Sequence, residues 1–594
     1  MDPLQEYSAR RDNWAAREAL FQKQFIRIGN WRLLTAILAA ILAWFAFGRG
    51  AVSGSILLFP LAVFIALVVW HQNVIRRRTL AQRAIRFYDD GLARLNPIWM
   101  GHGIAGESFR DPSHVYSEDL DLFGKGSLFE LLARTRTRSG EDMLASWLLA
   151  PAAREEALAR QEAVRELRPN LELREDIALL GEDIRSEVNT EAATKWGRAP
   201  EIRFPRALRP LSLILAVGGI ATLLAFFAKA LPISPFAAIL ACDFAVIFLL
   251  RGRVSQVLAG VEASGRDLTI ISLLVKRLEK ESFESPCLQQ LWAALQTDGQ
   301  PASRRIAKLG RLVDILDSSD HVLVRAIRPV LLWNEQLAMA LEAWRRDSGA
   351  QIGSWLHAIS EFEALSSLAA LAFERPQWCF PTLVESSSGS FHAEALQHPL
   401  MSPSRCVPND VSFGNGATLL IVSGSNMSGK STLLRAAGLN TILAWAGSCV
   451  AAARLETSPL QVAASIRVTD SLQENRSRFF AEITRIRQIV DLTRSGPPVL
   501  FLLDELLSGT NSHDRRIGAA GIVRGLLQTG AIGFVTTHDL ALTGIEEYDH
   551  SHVRNVHFED RIVEGRIEFD YKLKPGVVQR SNALELMRAV GLEV

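Results

Sequence analysis

The 594-residue sequence predicts a multidomain chain: a long α-helical core, a C-terminal α/β domain built on a phosphate-binding loop (P-loop), and two transmembrane helical hairpins. Three observations predict it. Four apolar runs, with Asp243 the one charged residue inside them, fall as two close pairs, between residues 33 and 70 and between residues 211 and 250. Long stretches outside them carry Leu, Ala, Glu and Arg at helical spacing. From Gln377 onward, short apolar strands alternate with helices, and one strand–loop–helix step carries a Gly-rich loop.

A chain of this length exceeds what one compact core holds, so several domains are expected. Lys and Arg (65) nearly cancel Asp and Glu (64), giving a formal net charge of +1 and no overall polyelectrolyte attraction to nucleic acid. The five cysteines, Cys242, Cys287, Cys379, Cys406 and Cys449, form no C-x-x-C pair, which suits a reducing compartment. Met1 to Phe25 is polar, charged and helical in pattern, unlike a cleavable signal peptide.

The first apolar pair is Leu33 to Phe47 and Ala51 to Trp70, joined by Gly48-Arg49-Gly50. The second is Leu211 to Ala228 and Ala230 to Leu250, joined through Lys229 and a Pro-containing turn. A helix needs ~20 largely apolar residues to cross the hydrocarbon core, with a lower limit near ~17. Core helices of a large soluble protein are the other reading; the arrangement as two close pairs favours spans. Lys23, Arg27, Arg32 and Arg76-Arg77-Arg78 flank the first pair, and Arg198, Arg203, Arg206, Arg209, Arg251 and Arg253 flank the second. The turns hold only Arg49 and Lys229, which places both turns outside and the rest of the chain in the cytoplasm. Asp243 falls mid-run, where an ionisable group is costly; with no opposite charge in the other runs, it reads as a packing residue. The expected division is 1–78 for an N-terminal helix and hairpin, 79–118 for a helical linker, 119–375 for a helical core interrupted at 210–250, and 376–594 for the α/β domain.

Gly424-Ser425-Asn426-Met427-Ser428-Gly429-Lys430-Ser431, with Thr432 following, fits G-x-x-x-x-G-K-[ST] at every fixed position. The apolar strand Ala417 to Ser423 precedes it and a helical pattern follows. In such a loop the N–H groups curl inward onto phosphate oxygens at the positive end of a helix. Lys430 would reach the β- and γ-phosphates of ATP, and the Ser431 hydroxyl would sit on Mg²⁺. Pro498 to Leu503 is a second apolar strand, ending in Asp504-Glu505. Asp504 is placed to hold Mg²⁺ through water, and Glu505 to orient or deprotonate the attacking water. A third strand, Ala531 to Val535, runs into Thr536-Thr537-His538, where His538 can sense the γ-phosphate. Each motif alone can arise by chance; together they predict a nucleoside triphosphatase.

These residues resemble the motifs of the DNA mismatch repair MutS family. The loop is similar to its T-G-P-N-M-G-G-K-S-T, with Asn426-Met427 before the second Gly as the family's mark. Asp504-Glu505 through Gly509-Thr510 to Asp514 resembles D-E-x-x-x-G-T-x-x-x-D, Ser477-x-Phe479-x-x-Glu482 resembles S-x-F-x-x-E, and Thr537-His538 its T-H. His398-Pro399 and Leu131 to Pro151, similar to the lever region, extend the match. The resemblance implies an ABC-type composite ATPase, a homodimer in which Ser477 of one subunit approaches the γ-phosphate held by the other. It implies a lever that conveys the nucleotide state to bound DNA. By motif, residues 424–432 bind the phosphates, Ser431 and Asp504 the metal, and Glu505 and His538 carry catalysis. The sequence also departs from the family. Its first hundred residues hold a hairpin in place of the mismatch-reading domain with its Phe-x-Glu wedge, no clamp segment reads within the lever, and Cys406 stands where members offer an aromatic to adenine. Two readings follow: a membrane-anchored MutS-like ATPase acting on DNA, or an ATP-driven membrane switch or scaffold that binds none.

Overall fold

The computed structural model describes residues 2–578 apart from 51–52, 97, 181–189, 206, 298, 319–326, 415, 426, 468–477, 495, 508–509, 539–542, 545–551 and 564–565. The chain divides into two compact units: Met1–Gly103 with Leu171–Glu182, and Ile104–Asn170 with Asp183–Val594.

The first unit is a long helical hairpin. The Asp2 carboxylate accepts the Leu4 N–H, and Pro3 opens helix α1 (Pro3–Ala43), where a missing N–H costs nothing. The polar start therefore runs into the first apolar run without a break. A π-turn at Trp44–Gly48 and a 3₁₀ turn at Gly54–Leu57 lead into α2 (Leu58–Leu95). Residue 78, the expected domain edge, lies inside α2. Near the polar ends Tyr7 meets Tyr88 edge-on, with ring centroids 5.7 Å apart. Gly91 makes room, since a Cβ there would come within 2.6 Å of the Tyr7 ring. The Tyr88 hydroxyl and the Trp14 indole N–H both donate to Glu175 on α6 (Leu171–Leu180). Arg11–Asp89 and Arg78–Glu18 pair along the seam.

The second unit holds a helical core and the α/β domain. Its helices are α3 (Leu128–Leu132), α4 (Arg138–Leu149), α5 (Arg154–Leu167), α7 (Thr190–Arg198), α8 (Leu208–Phe227), α9 (Ser234–Leu278), α10 (Pro286–Ala294), α11 (Ala302–Ser318), α12 (Trp333–Ser348) and α13 (Ile352–Glu374). A two-residue hairpin, β1 (Gln296–Thr297) with β2 (Gln300–Pro301), interrupts them. Helix α13 is almost wholly buried, packing on α4 and α5. Ser127 and Thr137 cap α3 and α4, accepting the N–H groups of Glu130 and Gly140.

Among the described residues, five helical stretches are long and apolar enough to cross a membrane, and burial separates them. In Pro3–Gly48, Gly54–Leu95, Leu208–Phe227 and Ser234–Val261, the protein covers between 6% and 17% of the apolar stretch; in Trp333–Glu374 it covers 89%. The last is therefore core. The other four are the apolar runs of the sequence, their large side chains uncovered.

In the α/β domain, six strands pair in the order β12-β11-β6-β10-β9-β8. They are β6 (Leu419–Ser423), β8 (Gln461–Ser465), β9 (Val499–Leu503), β10 (Ile532–Thr537), β11 (Val553–Val563) and β12 (Arg566–Pro575). All neighbours are parallel except the β11–β12 hairpin. Parallel strands covered on both faces need continuous apolar runs, and β6 and β9 are buried at every residue. Helices α14 (Lys430–Trp445), α15 (Arg478–Leu492) and α16 (Ser512–Gln528) accompany them. A four-stranded sheet, β3 (Thr382–Leu383), β7 (Arg454–Thr457), β4 (Phe391–Leu396) and β5 (Asn409–Phe413) in that order, completes the domain.

Candidate nucleotide site

Strand β10 lies between β6 and β9, with Thr537 opposite Ser423 and Val535 opposite Leu503. The carboxyl ends of the three strands are thus level. The loop after β6, the Asp504-Glu505 pair after β9 and His538 after β10 leave the sheet along one edge, where open α/β sheets bind ligands.

The loop is built by its glycines. Gly424 has φ +146°, and a Cβ there would meet Ser428 Oγ at 2.9 Å and the Phe558 carbonyl at 3.0 Å. Gly429 has φ +104° and opens α14, whose first N–H groups lack helical partners. Met427 is left-handed too, at φ +70°, with its side chain out in solvent. The hydroxyls of Ser425 and Ser428 are buried without a hydrogen-bond partner among the described residues. Lys430 folds back over the loop, its Nζ donating to the carbonyls of Gly424 (2.9 Å) and Ser425 (2.8 Å). Burial lowers its pKa, while Glu505 and Asp504 work the other way. Thr432 lines the cavity beside the loop. Asn426 lies outside the described residues, as do Ser477 and Gly509.

The carboxylates are held by short hydrogen bonds. Ser431 Oγ donates to Asp504 Oδ2 at 2.5 Å, and Thr536 Oγ1 donates to Asp504 Oδ1. Thr536 in turn accepts the Glu505 N–H at 3.0 Å. Glu505 sits at φ +50°, with its carboxylate 3.6 Å from His538 Nδ1. Glu482, the last residue of the Ser477 motif, is buried and accepts the Leu507 N–H at 2.6 Å, bracing the turn after Glu505. Lys430, Ser431, Asp504, Glu505 and His538 therefore come together at one edge of the sheet.

Beside the loop opens a cavity of about 650 Å³. The segment after β4 forms one wall with His398, Met401 and Cys406, and the β11–β12 hairpin forms another with Phe558 and Tyr571. Cys406 does stand there, and its sulfur accepts the His398 N–H. Aromatic surface comes instead from Tyr571 and Phe558, which the sequence reading missed. Asn409 holds the Tyr571 strand in place, donating to the Tyr571 carbonyl and accepting the Leu573 N–H. The Leu400 N–H donates to His398 Nδ1, so that nitrogen keeps its lone pair and the ring is neutral. Burial, with a smaller push from Arg435, takes His398 down to about 4.

The family model for MutS domain V matches residues 420–593, and that for MutS domain III matches residues 114–229. Two separate stretches of this chain thus match MutS domains. It is 31% identical over 293 residues to a protein of Solibacter usitatus named DNA mismatch repair protein MutS, covering 47% of this chain and 32% of that one. A protein of the same name from Natronomonas pharaonis is 28% identical over 286 residues, covering 48% of this chain and 31% of its own length. The chain thus spans about a third of these relatives. MutS-family proteins are in general ATPases that use Mg²⁺ and act as dimers on DNA. The domain V match takes in the loop, Asp504, Glu505 and His538.

Proposed function

We propose that this chain is a Mg²⁺-dependent ATPase of the MutS family, anchored in a membrane by its two apolar hairpins, with the ATPase domain on the cytoplasmic side. The observation that carries the reading is the linked set Ser431, Asp504, Thr536 and Glu505 at the mouth of a phosphate-binding loop. The residues fit the substrate and the metal. Two buried serine hydroxyls without a partner among the described residues, the start of α14 and Lys430 offer donors to phosphate oxygens, and the hydroxyl–carboxylate pair Ser431–Asp504 suits a hard cation. Mg²⁺ bound there would neutralise charge on the phosphates. Glu505 would orient the water that attacks the γ-phosphorus and accept its proton, as the bond to the β-phosphate oxygen breaks and ADP leaves. His538, at 3.6 Å from Glu505, would hold that carboxylate in line.

Pairing of two copies through the ATPase domains, with Ser477 completing the partner's site, belongs to the same reading. DNA is the proposed ligand class because the relatives are named mismatch repair proteins. The second reading, a membrane switch without DNA, is favoured by the uncovered apolar helices. Detergent-purified protein decides. Glu505→Gln is expected to bind ATP yet turn over at least about a hundredfold more slowly; unchanged turnover overturns the assignment. Duplex binding that weakens steeply with salt supports the DNA reading. Its absence at low salt favours the switch. Loss from membranes in a high-salt wash would return the hairpins to a soluble fold.

A further inference from the structure

The site is joined to the helical core by a strap, residues 111–124, that runs across the α/β domain. The Ala464 N–H of β8 donates to the Val115 carbonyl at 3.0 Å, and Arg485 of α15 donates to the carbonyls of Pro112 and His114. Asp119 is buried and accepts the N–H groups of Ile466 (2.7 Å) and Arg467 (2.6 Å). The neighbouring Ser465 carbonyl accepts the Asp504 N–H at 3.0 Å. Leu120 is fully buried against Gly438 of α14, where a Cβ would come within 2.9 Å of it.

Asp121 is the hinge pin of this arrangement. It holds the left-handed φ of +53°, uncommon for a residue other than glycine. Its Oδ2 pairs with Arg435 at 2.9 Å and its Oδ1 with Arg467. Arg435 follows Ser431 by one turn on the same face of α14, and its Nε is buried without a hydrogen-bond partner among the described residues. Beyond Asp121 the contacts continue into the core. The carbonyls of Asp121 and Leu122 accept the first N–H groups of α3, and Arg134, Arg136 and Thr137 bond to Ser367 and Glu363 of α13.

We propose that Asp121 is a positioning residue for hydrolysis: it bridges Arg435 of the loop helix and Arg467 after β8, and so ties the occupancy of the nucleotide site to the helical core through α3 and α13. The proposal rests on the hydrolysis reading. Without Asp121, Arg435 would stand half-buried and unpaired beside Ser431, and the strap would lose its ionic hold on both sides of the sheet edge.

The test is Asp121→Asn in the full chain. Asn tolerates the left-handed backbone and keeps the size of the side chain but removes the charge. It is expected to lower kcat about tenfold while nucleotide affinity stays within about twofold. Combining it with Arg467→Gln is expected to cost no more than the worse single change, because both break one bridge. ATP should slow amide exchange across residues 128–137 in the wild type and not in Asp121→Asn, a difference that mere loss of stability would not produce. An unchanged kcat, additive losses, or the same ATP-dependent protection in both proteins would overturn the proposal. A wild type that shows ATP-dependent protection without turnover would overturn the hydrolysis reading instead, and the exchange comparison would still decide the role of Asp121.

Discussion

Glu363 in α13 and Asp243 in α9 are carboxylic acids buried in long apolar helices, and the two regions hold them in opposite ways. Glu363 accepts the N–H groups of Arg136 (3.1 Å) and Thr137 (3.2 Å) and the Thr137 hydroxyl (2.6 Å). Asp243 accepts nothing among the described residues. The same contrast runs through both regions. Around α12 and α13, polar groups find protein partners: Glu342 pairs with Arg345 and accepts the Ile202 N–H, and Ser360 and Ser367 bond back along the helix. The hairpin α8–α9 is bare on its outer surface. Hydropathy alone puts both regions in one class; what separates a core helix from an uncovered one is whether its few polar groups meet the rest of the chain.

That comparison can be broken or sharpened. The largest effect is expected from Glu363→Ala, which takes the acceptor from the Arg136 and Thr137 N–H groups and the Thr137 hydroxyl and should lower unfolding stability by about 3–5 kcal/mol in a denaturant titration. His398 extends the comparison to a group that titrates. Its folded value, about 4, lies below the ordinary 6.5, so its neutral form is favoured by folding. This contribution is fully present above pH ~6.5 and is lost as pH falls through about 4, up to about 3 kcal/mol. Thermal midpoints of the ATPase domain measured from pH 7 to pH 4 should fall, and His398→Asn should flatten that slope; equal slopes would show that other groups carry it. The smallest effect belongs to Asp243→Asn, which breaks no hydrogen bond and should move stability by less than about 1 kcal/mol. A loss as large as that of Glu363→Ala would mean that Asp243 has a partner and that the two regions are alike.

Much of the site was legible before the fold was known. Lys430, Ser431, Asp504, Glu505 and His538 lie at the ends of recognisable strands, and parallel pairing of those strands leaves them one edge to share. Other parts were not legible. Thr536 reads only as the step from the third strand to His538, yet it links Asp504 to Glu505. Phe558 reaches the cavity because β11 pairs with β6, and Tyr571 because β12 turns back on β11 and Asn409 fastens it. Nothing in the sequence around Asp119 and Asp121 says that their partners lie more than 300 residues away. Residue 78 looked like an edge because the apolar run ends nearby, but a helix continues wherever its backbone bonds do, and α2 runs on to Leu95.

By itself the sequence determined the elements: the strands, the glycine loop, the helical hairpins and the order of the motifs, because these follow from spacing, backbone freedom and local polarity. Only the tertiary structure decided which apolar helices are covered, which carboxylates are partnered, and which distant side chains close the cavity. Burial and hydrogen bonding are properties of pairs of residues, and the chain sets those pairs only when it folds.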